Sequence, residues 1–416
     1  MSTTTRKMSS TNGMKLWLVL LFCLTNFSGA AAAQDPLTWR INGSGTYVII
    51  SNPNGALPAT TMGSQLIFGA NLPESQQFKA YVERKTSNEI WVSLVANQTV
   101  SGTMKYVPNP DTDPSKSYAL AGKLLYVHNP TSCTAAGFTA KTVGSHEYCV
   151  FPNNFTQGAS DYLLVGSTLS SQVYYPIITS DYIKSTGNQV TLNNVVLTQD
   201  PSMAAGVGTG ALKVNYTQVT NGAKDTLNIT GANIGGWVFV QGDLNISGIF
   251  KTVGYGAVAV SGGTMNINSG GNLWMNTNET DQLYAVAVFN NGTINNNGGI
   301  YQDLKSKGIG LYSGAVVNNA MFHIQSPWGL VASGGSVLNK ANGTLNVGSS
   351  LKRAIQGIYL YPGGKIINVG TINNNQTNGI YNDGMITNCS TRGTWTGSNA
   401  SPIAQVTTIV VGCAIN

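Results

Sequence analysis

From about residue 186 onward, short apolar runs alternate with Asn- and Gly-rich segments, and the alternation repeats. Seven runs align, starting at Gly236, Gly256, Tyr284, Gly310, Gly329, Gly357 and Gly379. Each is a strand-like run of small, aliphatic or aromatic residues leading through a turn to an asparagine: Asn245, Asn266, Asn295, Asn318, Asn339, Asn368 and Asn388. These asparagines recur every 20 to 29 residues, the sequence mark of a solenoid. The pattern predicts coils of a short strand, a glycine turn and a second strand ending in Asn. One coil cannot bury its apolar side, so stacking must close the core. The expected inward ladder is Trp237, Ala257, Ala285, Leu311, Leu330, Ile358 and Ile380. The seven asparagines are expected to form one ladder at a bend, each amide bonding its equivalent one coil away.

Residues 34–185 have a different texture, with most of the prolines and more acids. Runs at 46–50, 89–95 and 123–128 read as strands. Asn52–Gly55 and Pro108–Pro114 read as turns. The fold expected is therefore all-β: a parallel β-helix over 186–388, preceded by a β-sandwich-like N-terminal domain over 34–185. Residues 389–416 would cap its end. Extra residues at 272–283, 301–308 and 349–356 are expected as loops leaving the coils.

Composition sharpens this picture. Only 9 % of residues are charged, and there are 49 glycines, so Asn, Ser, Thr and Gly must cover the surface. Residues 1–33 read as a secretory signal: Lys15, an apolar run over 16–24, then Ala30–Ala33. Removing Arg6, Lys7 and Lys15 from the 22 basic residues leaves 19 against 16 acids, a net charge near +3. That is too weak for a nucleic-acid partner. No other segment is apolar enough to cross a membrane as a helix. Cys133, Cys149, Cys389 and Cys413 are spaced for two local disulfides, Cys133–Cys149 and Cys389–Cys413, in an oxidising compartment. No metal site is expected: there is no close Cys pair, and His128, His146 and His323 lack ligand spacing. No cofactor motif is present.

Gly262–Gly271, Asn291–Gly299, Asn342–Val347 and Gly370–Asn375 share a Gly-Thr-x-Asn pattern. Over about 200 residues this resembles the passenger repeats of bacterial autotransporter and haemagglutinin-like adhesins. The resemblance implies a right-handed β-helix shown outside the cell, with periplasmic transit in a Gram-negative host, for adhesion, aggregation or biofilm formation. It departs from the family in its paired cysteines and in the absence of a translocator barrel.

A β-helix rod supports two kinds of chemistry. Many β-helices are polysaccharide lyases or hydrolases, which need carboxylates facing one bond. Glu279, Asp281 and Asp303, all in inserted segments, are the candidates for that alternative. Tyr312, Tyr359 and Tyr381 occupy one register position, alternate with the inward ladder and should point outward. With Tyr361 and Trp328 they are candidates for a strip that stacks on sugar rings. The leading expectation is a secreted or cell-surface adhesin or matrix protein, its partners surface glycans or host and matrix polymers. Self-association into a structural assembly is the other non-enzymatic alternative.

Overall fold

The structure is a computed structural model. It describes residues 37–42, 46–61, 63–94, 100–127, 139–143, 146–151, 154–159, 161–166, 174–177, 189–198, 211–214, 224, 226–235, 237–254, 256–277, 284–303, 306–325, 328–348, 357–374, 379–389 and 394–396. Among the described residues it is all-β apart from one 3₁₀ turn at Glu74–Gln76.

Seven antiparallel strands build the N-terminal part: β1 (Thr38–Ile41), β2 (Tyr47–Ser51), β3 (Gln65–Phe68), β4 (Phe78–Lys85), β5 (Glu89–Ser93), β6 (Val100–Val107) and β7 (Tyr118–Val127). β1, β2, β5 and β4 form one sheet, and β4, β3, β6 and β7 the other. β4 serves both: Phe78–Tyr81 pair with β3, and the register shifts between Val82 and Arg84 where the strand turns to β5. A bulge is the usual means by which a strand changes sheets. Alternating residues fill a core of its own, with Val48, Ile50, Leu66, Phe68, Ile90, Val92, Met104 and Tyr106 nearly inaccessible. Asn52–Gly55 is a plain turn, closed by the Asn52 side chain, which accepts from the Asn54 N–H and donates to the Ala56 carbonyl.

The solenoid has three strands per coil, not two. The regular coils begin at Trp237–Val240, Ala257–Ser261, Val286–Phe289, Ile309–Leu311, Leu330–Ala332, Ile358–Leu360 and Ile380–Asn382, which together form the first parallel ladder. The second ladder carries the asparagines. A third runs through Asn272–Thr277, Gly299–Gln302, Met321–Ile324, Thr344–Val347, Thr371–Asn374 and Thr394–Thr396. Segments 272–277 and 301–302, expected within loops, are therefore strands; residues 349–356 lie outside the described residues. The Gly-Thr-x-Asn segments that look alike in sequence do not share a face. Those at Thr264 and Thr293 lie on the second ladder, those at Thr344 and Thr371 on the third.

Each ladder sends inward a leading column and, two residues further along the strand, another. The first leading column is Val238, Val258, Val286, Ile309, Leu330, Ile358 and Ile380, all at most 2 % exposed. This corrects the register of the expected column: Leu311 aligns with Leu360 rather than Ile358, and positions 237 and 257 stand one residue before Val238 and Val258. The second leading column runs from Leu244 to Ile386 and the third from Phe250 to Ile372. Each such side chain contributes about 1.5–3 kcal/mol by leaving water, an amount realised only once the next coil covers it.

The asparagines form two ladders, because the sequence alignment slips by one residue at the third coil. Asn228, Asn245, Asn266 and Asn295 make a half-exposed outer ladder, each later amide donating to the earlier one at 2.8–2.9 Å. Asn295 pairs with Val317, and it is Asn296 that pairs with Asn318. Asn296, Asn318, Asn339, Asn368 and Asn388 make the inner ladder, each donating to the next at 2.7 Å. Its first four members are fully buried, in the column that earlier coils fill with Ile229, Ile246 and Ile267. Asn339 also donates to the Thr371 carbonyl, 3.1 Å away at the start of the next coil's third strand. Buried amides are tolerable only with such partners.

The ladder continues at both ends past the expected boundaries. The strand Tyr162–Gly166 pairs in parallel with both β7 and Asn194–Thr198, and that strand pairs with Thr226–Ile234. The head is thus joined to the first coils by strand pairing. Trp39 reinforces the join, its ring 4.7 Å from Tyr162 and its indole N–H donating to the Ala121 carbonyl at 2.6 Å. At the other end the third ladder reaches Thr396, beyond 388. Cys389 is buried and disulfide-bonded; its expected partner Cys413, like Cys133 and the side chain of Cys149, lies outside the described residues.

The two ladders differ in a measurable way. Replacing Asn339 by Ala strips partners from two buried amides and should destabilise by about 2–4 kcal/mol. Asn295→Ala, at the end of the half-exposed ladder, should cost about 1 kcal/mol or less. Denaturant unfolding of both variants checks this; equal losses would contradict the two-ladder arrangement.

Candidate functional site

The outer face of the first ladder gathers aromatic side chains from five successive coils. In a strand, positions two apart share a face, so Tyr359 and Tyr361 emerge side by side, flanking the buried Leu360. Tyr359 is in register with Tyr381 on the next coil. Their rings stack at 4.2 Å between centroids and 19° between planes, matching the spacing of roughly 4.8 Å between paired strands. Trp328 stacks on the other side of Tyr359 at 5.3 Å, and Tyr361 lies 4.4 Å away. Trp328 sits in the turn before the fifth coil's first strand with φ of 61°, a backbone conformation that non-glycine residues seldom adopt.

Tyr312 does not align with Tyr359, as expected from sequence, because Gly310 holds that position. It follows Leu311 as Tyr361 follows Leu360, two residues further along. A slip of two keeps a side chain on the same face, so Tyr312 remains outward at 52 % exposure. Its neighbour is Tyr284, edge-on at 6.3 Å. Tyr284 was not singled out from the sequence. Its ring lies over Gly310, where a Cβ would fall 2.6 Å from Cδ2, so only glycine admits it. Gly310 beneath an aromatic two coils before a Tyr-rich coil was the available signal.

The face therefore divides by geometry. Tyr359 has ring neighbours on three sides and serves as the keystone of a stack. Tyr312, Trp328 and Tyr361 are each 38–52 % exposed and present surface to solvent. Tyr381 donates to Asp383 at 2.6 Å, and that carboxylate, together with the Tyr359 hydroxyl, raises its pKa. Burial pushes the Tyr284 phenol up to about 12, with the neighbouring Tyr312 and Tyr361 phenols adding to the effect. A second aromatic pair lies on the third ladder's outer face, Trp274 stacked on Tyr301 at 4.6 Å, followed in register by His323 and Asn346. Burial lowers the His323 pKa, and its imidazole bonds the Gln325 side chain.

Among the described residues, the solenoid's carboxylates are not brought together. Asp303 is exposed after the third strand of its coil, Asp383 follows a first strand, and Asp243 opens a second strand, 3.7 Å from Lys224. Glu279 and Asp281 lie outside the described residues. Among the described residues, no three His, Cys, Asp or Glu side chains cluster as metal ligands, and no helix is long and apolar enough to cross a membrane.

The raised tyrosines carry a pH dependence of defined sign. Tyr284 ionises near 12 when folded and near 10 when unfolded. Its contribution to stability is complete below about pH 10 and is lost as pH rises towards 12. Alkaline spectrophotometric titration should show a late-ionising component that shrinks in Tyr284→Phe; an unchanged profile would contradict its burial. In comparisons with known proteins, no family model, no curated sequence and no solved structure matches the chain.

Proposed function

We propose that the chain is a non-enzymatic extracellular protein, an adhesin or matrix component, whose solenoid holds polysaccharide through the aromatic face of its first ladder. The carrying observation is the gathering of Tyr312, Trp328 and Tyr361, all exposed, around the stack of Tyr359 on Tyr381. Aromatic rings offer sugars a flat apolar surface, with phenol hydroxyls at the margin for hydrogen bonds. Successive coils place these rings along a rod at fixed intervals, so weak contacts to repeating units of one polymer add through effective concentration. A stiff ladder suits this task because it loses little conformational entropy on binding. The low charge of the chain, 9 % of residues, agrees with contact through ring faces and amides rather than ion pairs.

Secretion, surface location and adhesion form one reading with this face, since a polymer-holding rod acts where the polymer is. The described acids stand apart at different coil positions, so the hydrolase or lyase reading gains no support from them.

A panel of neutral and acidic polysaccharides, with binding and reducing-end release measured together, tests the reading. Tyr361→Ala and Tyr312→Ala should each weaken polymer binding about ten-fold, with thermal stability within about 0.5 kcal/mol of wild type. Tyr359→Ala should cost about 2–3 kcal/mol of stability by removing the stack's centre. Product release, or binding indifferent to Tyr312 and Tyr361, would overturn the proposal.

A further inference from the structure

A cleft of about 330 Å³ lies where the head meets the first coils. Its wall on the head side is Arg40 of β1; on the solenoid side stand Tyr162, Asn194, Asn233 and Ile249, over Gly231. The volume is within the usual range for small-ligand sites, about 300–1,000 Å³. Strand register explains the cleft. Tyr162 pairs with Asn194, and Gly231 pairs with Ile249, so these residues form one outward column on successive coils. Gly231 has no side chain and leaves the gap. Asn233 belongs to the adjacent outward column, followed in register by Lys251 and then Trp274.

The chemistry of the walls is mixed in a specific way. Arg40 gives one N–H to Glu89 at 3.0 Å, but its guanidinium is half exposed and carries five donors, four of them beyond that bond. Outside the cleft lining, Lys251 stands one register position from Asn233 on the next coil. Tyr162 contributes a half-buried phenol, whose pKa is raised by burial and drawn back by the Arg40 charge. Asn194 and Asn233 contribute amides. Against these polar groups stands Ile249 at 58 % exposure, and beyond the cleft, two register positions from Asn233, lies Trp274 at 43 %. A planar donor fork beside amides and an exposed apolar ledge fits a carboxylate attached to a body with both C–H and O–H faces.

We infer that this cleft is a second binding site, a subsite for the acidic end-group of a saccharide, with the carboxylate on Arg40 and the sugar body between Tyr162 and Ile249. The following sugar units would pass over Trp274 and Tyr301, whose stacked rings continue the third ladder's outer face. The inference rests on the polymer-binding reading and gives it an end-group specificity in a place separate from Tyr312 and Tyr361. The cleft sits where two core-bearing parts meet, one of the common positions for a ligand site.

Calorimetric titration of the full chain with a tetrasaccharide ending in glucuronic acid, its glucose-ended counterpart, and inorganic sulfate tests this. The wild type should bind the acid-ended probe at least roughly ten-fold more tightly than the glucose-ended one, the scale of one charge-assisted hydrogen bond. Arg40→Gln should abolish that preference and Arg40→Lys restore part of it, with melting unchanged because the ion pair it breaks is solvent-exposed. Asn233→Leu should reduce binding of the acid-ended probe without altering the head. Tyr312→Ala should leave the preference intact. No preference in the wild type, or a preference that survives Arg40→Gln, overturns the inference. Sulfate binding as tight as the acid-ended probe overturns the saccharide assignment. Polymer binding that depends on Tyr312 and Tyr361 while the cleft variants are silent would sink this inference and leave the proposed function standing.

Discussion

Everything in the solenoid depends on the register between stacked coils. A parallel strand pair sets its neighbour at roughly 4.8 Å and fixes which residue lies over which. Because side chains alternate with period two, a slip of one residue would turn the whole inward column to solvent. Val286, Ile309 and Leu330 are buried only because each sits over its counterpart. The inner asparagine ladder reinforces this register at the corner. An amide at Asn339 finds partners in both Asn318 and Asn368 only when both coils are aligned. A shifted coil would leave buried amides unpaired, a cost that a purely aliphatic corner does not impose.

Where the corner column changes from Ile267 to Asn296, one coil carries both asparagines, Asn295 outward and Asn296 inward. The outer ladder ends there and the inner one begins. The donor direction reverses with it: outer amides donate towards the N-terminal coils, inner ones towards the C-terminal coils. The inner ladder coincides with the coils that carry the first ladder's exposed aromatics, so the most tightly specified part of the rod underlies its most decorated face. The N-terminal coils instead gain order from the head, through the parallel pairing of β7 with Tyr162–Gly166.

The same regular register generates both surfaces of interest. Repetition along the rod turns single aromatic residues into rows: Trp328, Tyr359 and Tyr381 on one face, Trp274 and Tyr301 on another. Glycines in the outward columns, Gly231 and Gly310, mark where a row is interrupted. One interruption is filled by the Tyr284 ring and the other is left as a cleft. Ring stacking and ring exposure compete for the same π surface, which is why Tyr359 serves the scaffold while Tyr312 and Tyr361 remain available.

The all-β character, the solenoid and the sandwich-like head were legible in the sequence, because repeat period and alternation are local properties of the chain. The sequence also marked Asn318, Asn339 and Asn368 as a ladder and gave Tyr359 and Tyr381 one register position, since each lies at a similar distance from the start of its own coil. It missed the third strand, placed Asn295 in the wrong ladder and misaligned Tyr312. Those errors share one cause: Gly-Thr-x-Asn segments on the second and third ladders are nearly identical, and the glycines used for alignment occupy different coil positions. Only the tertiary structure decides which coil length is taken up at which corner, because that choice is settled by burial against the neighbouring coils. The cleft at Arg40 lies further still from sequence reasoning, since it joins residues about 200 positions apart through a strand pairing that no local pattern encodes.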